Sequence, residues 1–284
     1  SGHAHRGLVQ NTTPAPPAHV LQHQKNGAAD GKVCPVAGAQ APAWQPGRSP
    51  VIVNEYGGLW LNRDGSPTVL TRDLYPRLLG PNATADQRRH LHALLLAADT
   101  EFFRAHRRFA GVMEFCALNY SRPDGATSDH WADHGVRNLE WDTEFYRYVR
   151  DAFAPVGLMV GFWDERATAG NTLRVPVTLI NDLDKPWRGP VTLRVRSGKR
   201  VLAETKQQAR IEPLGATNIA FDIAWPEQSG PCVLEAELRG ADRGPVRSVR
   251  ELELVDAKTL GLAFGKPVTA SSRCAAEYRP ENAV

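Results

Sequence analysis

Leu173-Arg174-Val175-Pro176-Val177-Thr178-Leu179 places an apolar residue at every second position. Successive side chains of a strand point to opposite faces, so this spacing is that of a strand buried on one side. The pattern returns in Val191-Leu193-Val195 and in Ile219-Phe221-Ile223. It returns again where Leu234-Ala236-Leu238 alternate with Val233-Glu235-Glu237, and where Leu252-Leu254 alternate with Glu251-Glu253. Turn-forming residues separate the runs: Asn181-Asp182, Ser197-Gly198, Pro213-Leu214-Gly215 and Gly240-Ala241-Asp242. Five or six alternating strands within about 95 residues predict a β-sandwich after residue 160.

The strand spacing is that of an immunoglobulin-like sandwich. The Cys…Trp…Cys set of antibody domains is missing, so the expectation concerns architecture alone.

Upstream the texture differs. Val51-Ile52-Val53 is a β-branched run between Pro50 and Gly57-Gly58, the pattern of a buried strand. Residues 84–107 are helical in pattern, with Leu91, Leu94, Leu95, Ala98 and Phe102 on one face and Thr84 or Asn82 as cap. Phe109 to Leu118 is a second apolar run of strand length. Asp142 opens another helix with Phe145, Tyr146, Val149 and Phe153 on one side, and Pro155 ends it. Strand, helix, strand, helix in this order favours an α/β arrangement with parallel strands. Residues 1–49 are rich in proline and read as coil, and Gly261 to Val284 is too short to fold alone.

Composition narrows the function. Of 284 residues, 42% are hydrophobic and 23% charged, which excludes a disordered or collagen-like chain. The net charge of +3 is spread along the chain, so no nucleic-acid surface is implied. No run of 18 apolar residues exists to span a membrane. Cys34, Cys116, Cys232 and Cys274 are widely spaced with no C-x-x-C, which argues against a zinc site or redox dithiol, and Cys116 reads as a buried small hydrophobe. No cofactor is expected, and the oligomeric state is left open.

The segment that carries chemistry is Pro50-Val51-Ile52-Val53-Asn54-Glu55-Tyr56-Gly57-Gly58-Leu59-Trp60. Parallel α/β folds carry their active sites at the C-terminal ends of strands, where Glu55 falls. The glycines permit a sharp turn under a ligand, and Tyr56 and Trp60 offer flat faces with polar edges, suited to sugar rings. The same position also suits a carboxylate that merely ends a strand in solvent. Asp129-His130 and Asp133-His134 lie four residues apart, a spacing that zinc ligands use on a helix. They follow Pro123-Asp124-Gly125 in a polar stretch that reads as a loop. His90 and His92, two apart on a helix, face different ways. Ser121, Ser128 and His130 lack the strand–turn–helix elbow of a nucleophilic serine.

Residues 50–60 resemble the nucleophile strand of the glycoside hydrolases related to family 2, the β-galactosidase and β-glucuronidase group. In that family a P-hydrophobic-hydrophobic-x-x-E-[YF]-[GA] run ends the seventh strand of a TIM barrel. Gly111 to Tyr120 then resembles the eighth strand and the Asp142 helix the last barrel helix, so the resemblance covers roughly residues 45–160. It implies the C-terminal portion of a (β/α)8 TIM barrel at 1–157, followed by the immunoglobulin-like β-sandwich at 158–257. It also implies retaining hydrolysis of a carbohydrate substrate, with Glu55 as nucleophile. Such enzymes use two carboxyl groups about 5–5.5 Å apart. The acid/base partner is expected upstream of Ser1, with Glu114 in mid-strand a poor substitute. Tyr56, Trp60, Asn119 and Tyr120 are the implied substrate contacts. One departure stands out: the clan's acid/base glutamate, on the fourth strand, is the one normally preceded by asparagine, and Asn54 precedes Glu55. Chain order favours the nucleophile, because a single helix and strand remain before the sandwich.

Leu262 to Ser272 and Pro280 to Val284 resemble the opening of a discoidin-like (coagulation factor 5/8 C-type) module, which sets the last domain at 258–284. Such modules are similar to carbohydrate-binding modules of family 32. The chain is therefore expected to be an internal fragment of an extracellular or periplasmic glycoside hydrolase. The rivals are a non-catalytic carbohydrate-binding or scaffolding protein on a decayed barrel, and a metal-dependent hydrolase using Asp129, His130, Asp133 and His134.

Overall fold

A computed structural model describes residues 52–53, 55–107, 109–115, 121–122, 125–126, 138, 140–240 and 244–256. Strand dominates the architecture. Strands β1 (Ile52–Val53), β2 (Gly111–Val112), β3 (Ser121–Arg122) and β4 (Gly125–Ala126) are two residues each. Helices α1 (Leu74–Leu79), α2 (Ala85–Ala105) and α3 (Thr143–Ala152) lie among them in the first half. Then come β5 (Val156–Val160), β6 (Arg166–Thr168), β7 (Thr172–Asn181), β8 (Trp187–Ser197), β9 (Arg200–Ile211), β10 (Ala216–Ala224), β11 (Gly230–Gly240) and β12 (Gly244–Val255).

The later strands form two sheets, of order β10-β7-β5 and β6-β12-β11-β8-β9. All pairings within them are antiparallel except β6 with β12. One-sided burial explains why these residues pair in this register. Val175, Val177 and Leu179 of β7 face Val191, Leu193 and Val195 of β8 and Leu234, Ala236 and Leu238 of β11 in a single core, most of them fully buried. A one-residue slip of any strand would turn this set outward, so the pattern fixes the register. The sheets curl toward each other along one side, where Gln207 of β9 donates to the Ala220 carbonyl of β10 at 3.0 Å.

The described residues do not form the expected C-terminal portion of a (β/α)8 barrel. Among the described residues, the parallel ladder of the first half is two pairs long, Ile52 with Gly111 and Val53 with Val112. The rest of the strand content lies in the two curled sheets. A barrel needs a closed ring of tilted strands whose inward side chains fill it. Here Ile52, expected to be buried, is 52% exposed, and only Val53 of that strand enters the core. The apolar runs at 51–53 and 109–118 have the composition of barrel strands, but among their described residues the ladder engages two of each.

Helices α2 and α3 pack on the sandwich as a layer, and α1 packs on α2. Thr84 caps α2 through a full capping box, its hydroxyl accepting from Gln87 N while the Gln87 side chain accepts from Thr84 N. Asp142 caps α3, accepting from the amides of Glu144 and Phe145, each at 3.0 Å. Of the face expected on α3, Val149 is buried and Phe145 packs beside it, but Tyr146 is 49% exposed and Phe153 is exposed too; Tyr148, Asp151 and Ala152 are buried instead. The cause is a double contact. Tyr148 and Ala152 pack on Ala93 and Ala97 of α2, while Asp151 accepts from the Arg247 amide of β12 at 3.1 Å.

Polar groups tie this layer to the sandwich. Oε2 of Glu101 accepts from Ser248 Oγ at 2.7 Å and Arg250 Nη2 at 2.9 Å, all three residues buried. The Arg250 guanidinium lies 4.2 Å over the Trp163 ring. Arg104 donates to the carbonyls of Ala152 and Ala154 and to Asp182. Strand β5 runs across the 157/158 boundary expected from the sequence.

Candidate functional site

The site predicted from sequence begins where β1 ends. Val53 O accepts from Met113 N at 2.8 Å and Tyr56 O from Phe115 N at 3.2 Å, so the segments continue side by side past the ends of β1 and β2. Glu55 is half-buried on this extension. Glu114, expected in mid-strand, lies instead two residues beyond the end of β2, between Met113 and Phe115, whose amides donate to Val53 O and Tyr56 O. It too is half-buried.

Tyr56 does not face solvent. It is buried beside Val53, Leu96, Phe103 and Val149, with its ring edge-on to Phe103 at 5.4 Å. Its hydroxyl lies 2.7 Å from Thr100 Oγ1. Burial pushes the phenol pKa well up, with the Thr100 hydrogen bond pulling against it and the charges of Glu114 and Asp99 adding to the rise. Tyr56 is therefore placed as a core residue, not as a substrate contact.

Gly57 follows with φ +81, and the turn closes with Leu59 N donating to Gly57 O at 2.6 Å. A Cβ at Gly57 would come within 2.5 Å of Leu96 Cδ1, so glycine is required for the turn and for the close approach of α2. Beyond it the chain is clamped by Tyr75 Oη donating to Leu59 O and Thr71 Oγ1 donating to Trp60 O, both at 2.6 Å.

Trp60 is half-buried. Its indole N–H donates to Phe115 O at 2.9 Å, and the two rings meet edge to face at 6.4 Å. Phe115 is 42% exposed, which adds an aromatic surface beside Trp60 that the sequence hid inside a uniform apolar run. Thr100 was also missed; a threonine on a helix carries no local mark of a buried partner 44 residues away.

Asn119 and Tyr120 lie outside the described residues, as do Asp129, His130, Asp133, His134, Ser128, Cys34, Cys116 and Cys274. Cys232 is buried, and burial pushes its thiol up to about 11. His90 and His92 do diverge, His92 into the core and His90 onto Glu144 and Glu251. Among the described residues no three His, Cys, Asp or Glu side chains group to hold a metal, and no helix is long and apolar enough to cross a membrane.

No family model and no curated protein matches the chain. Among solved structures it is similar to a cycloisomaltooligosaccharide glucanotransferase from Paenibacillus sp., 15% identical over 32% of this chain and 13% of that one, TM-score 0.27. A β-glucosidase from Erythrobacter marinus is 16% identical over 35% of this chain and 16% of its own, TM-score 0.27. A superoxide reductase from Ignicoccus hospitalis is 13% identical over 36% of this chain and 83% of its own, with the same TM-score of 0.27. The chain thus spans 13% and 16% of the two carbohydrate-acting proteins. An oxidoreductase matches to the same degree, so the likeness distinguishes no activity.

Proposed function

We propose that the chain belongs to a retaining glycoside hydrolase acting on oligo- or polysaccharides, with Glu55 as its nucleophile. One observation supports the reading: Glu55 is half-buried just past the end of β1, on backbone held at the Val53 and Tyr56 carbonyls, in the segment that leads to the Trp60–Phe115 ring pair. Flat rings on the same segment as a carboxylate suit a pyranose, whose C–H face stacks while its hydroxyls reach polar groups.

In the first step a Glu55 carboxylate oxygen bonds to the anomeric carbon. The glycosidic C–O bond breaks with its electron pair on the leaving oxygen, which takes a proton from a second carboxyl group. Water, deprotonated by that second group, then attacks the anomeric carbon and frees Glu55. The second carboxyl group lies outside the 50–60 segment, and Glu114, on the neighbouring segment beyond β2, is not assigned that role.

The test is covalent trapping in the full-length natural protein with 2-deoxy-2-fluoroglycosyl fluorides, read by peptide mass spectrometry. The label is expected on the peptide carrying Glu55, and Glu55→Gln is expected to lower turnover of aryl β-glycosides about 10³-fold or more. A label elsewhere, or unchanged turnover in Glu55→Gln, overturns the assignment. Saccharide binding without any turnover by the wild type favours the rival, a non-catalytic carbohydrate-binding protein.

A further inference from the structure

We infer that Thr100 is a positioning residue for Glu55, acting from helix α2 through the side chain of Tyr56. The inference rests on the glycosidase reading above. Thr100 Oγ1 donates to the Leu96 carbonyl at 2.8 Å and lies 2.7 Å from the Tyr56 hydroxyl. A threonine hydroxyl has one proton, and here it goes to Leu96, so in the second contact Tyr56 donates and Thr100 accepts. The direction of the bond is thus fixed by the helix. Burial keeps the phenol protonated, so the donor is always present.

Residue 56 is consequently held at three points. The tip of its side chain is tied to Thr100, its carbonyl to Phe115 N, and the peptide that follows it turns at Gly57 against Leu96. Two of these anchors, Thr100 and Leu96, stand one turn apart on α2. Glu55 is the residue immediately before this anchor, so the height of its backbone over the helix follows from the Tyr56–Thr100 contact. A nucleophile must meet the anomeric carbon in line, and a shift of about 1 Å is enough to cost roughly 100-fold in rate.

The experiment removes the hydrogen bond from each end in the full-length enzyme. Thr100→Val keeps the shape and loses the acceptor; Tyr56→Phe keeps the ring and loses the donor, leaving the Thr100–Leu96 bond intact. Each is expected to lower kcat per titrated active site roughly 10- to 100-fold. KM should move less than about 3-fold, since ground-state binding is not what the contact serves. The double variant should be no slower than the slower single one, because both remove the same contact. Thr100→Ser, which restores the hydroxyl, should recover most of the rate.

If both single variants lose only the number of titratable sites while kcat per remaining site stays at wild type, the contact is structural and the inference is overturned. Multiplying losses in the double variant overturn it as well. Retained turnover in Glu55→Gln removes the assignment of Glu55 as nucleophile, on which this inference rests, and is told apart by needing no change at Thr100 or Tyr56.

Discussion

Nε2 of His90 on α2 lies 2.8 Å from Oε1 of Glu251 on β12, and its Nδ1 lies 2.7 Å from Oε2 of Glu144 on α3. Both ring nitrogens face carboxylates, so both must donate and the ring carries a proton. One imidazolium thereby pins two helices and the five-stranded sheet, with its ring edge-on to Tyr148 at 5.5 Å. The hydrogen bond to Glu251 does most to push its pKa up to about 9; burial opposes the rise and Glu144 adds to it.

A pKa raised on folding stabilises the folded state most below the unfolded value near 6.5, and that contribution fades as pH rises through about 9. His90 and its partners remain partly in water, so screening reduces the effect to about 1–2 kcal/mol. Urea unfolding of the wild type should show this loss between pH 6.5 and 9.5. In His90→Gln the same interval should be nearly flat. An equal slope in both proteins would place the titration elsewhere.

Gly57 and Gly80 both sit at positive φ, +81 and +86, but they differ in what surrounds them. A methyl at Gly57 would strike Leu96 at 2.5 Å, whereas none of the neighbours of Gly80 lies within 4 Å. Gly80→Ala should therefore cost only the backbone term, about 1 kcal/mol. Gly57→Ala adds a clash in the core and should cost about 2–4 kcal/mol in all. Thermal melts of the two variants compare them directly, and equal losses would mean that the Leu96 contact yields freely.

Strands β7, β8, β10, β11 and β12 were legible because each buries one face, and burial on one face writes a period of two into the chain. Strand β9 was not: before Ile211 its inward positions are Ala203, Thr205, Gln207 and Ala209, too small or polar to stand out against Glu204, Lys206 and Gln208. The barrel reading failed for a related reason. A β-branched run such as 51–53 states that a segment can be a strand, not how many residues find partners or what covers Ile52. At the site, the position of Glu55 after a strand and the need for Gly57 could be read locally. The burial of Tyr56 could not, because its partner Thr100 is brought by a helix 44 residues away.

Asp142 shows how a local signal and a tertiary contact share one residue. Its Oδ1 accepts two amides at the start of α3, and its Oδ2 lies 3.7 Å from the Arg89 guanidinium of α2. Asp142→Asn keeps the cap and loses the charge, so it should cost less than about 1 kcal/mol. Asp142→Ala loses both and should cost about 1–2 kcal/mol. Chemical denaturation in low and high salt separates the parts: salt should narrow the gap between wild type and Asp142→Asn, and leave that between Asn and Ala unchanged.

Glu101, Ser248 and Arg250 join the helical layer to the sandwich through buried polar contacts. Ser248 Oγ accepts from the Val160 amide at 2.9 Å and donates to Glu101, so a helix and strands of both sheets meet at one hydroxyl. Burial pushes the Glu101 pKa up, and Arg250 with Ser248 pulls it back toward the charged form. Removing one partner leaves the other charge buried, so Glu101→Ala should cost about 3–5 kcal/mol. Replacing both, as Glu101→Met with Arg250→Met, should cost less than the Glu101→Ala change alone, because no unpaired charge remains. The wild type should unfold in a single urea transition, with helical circular dichroism and tryptophan fluorescence coinciding. Two separated transitions would mean that the polar interface does not couple the layers.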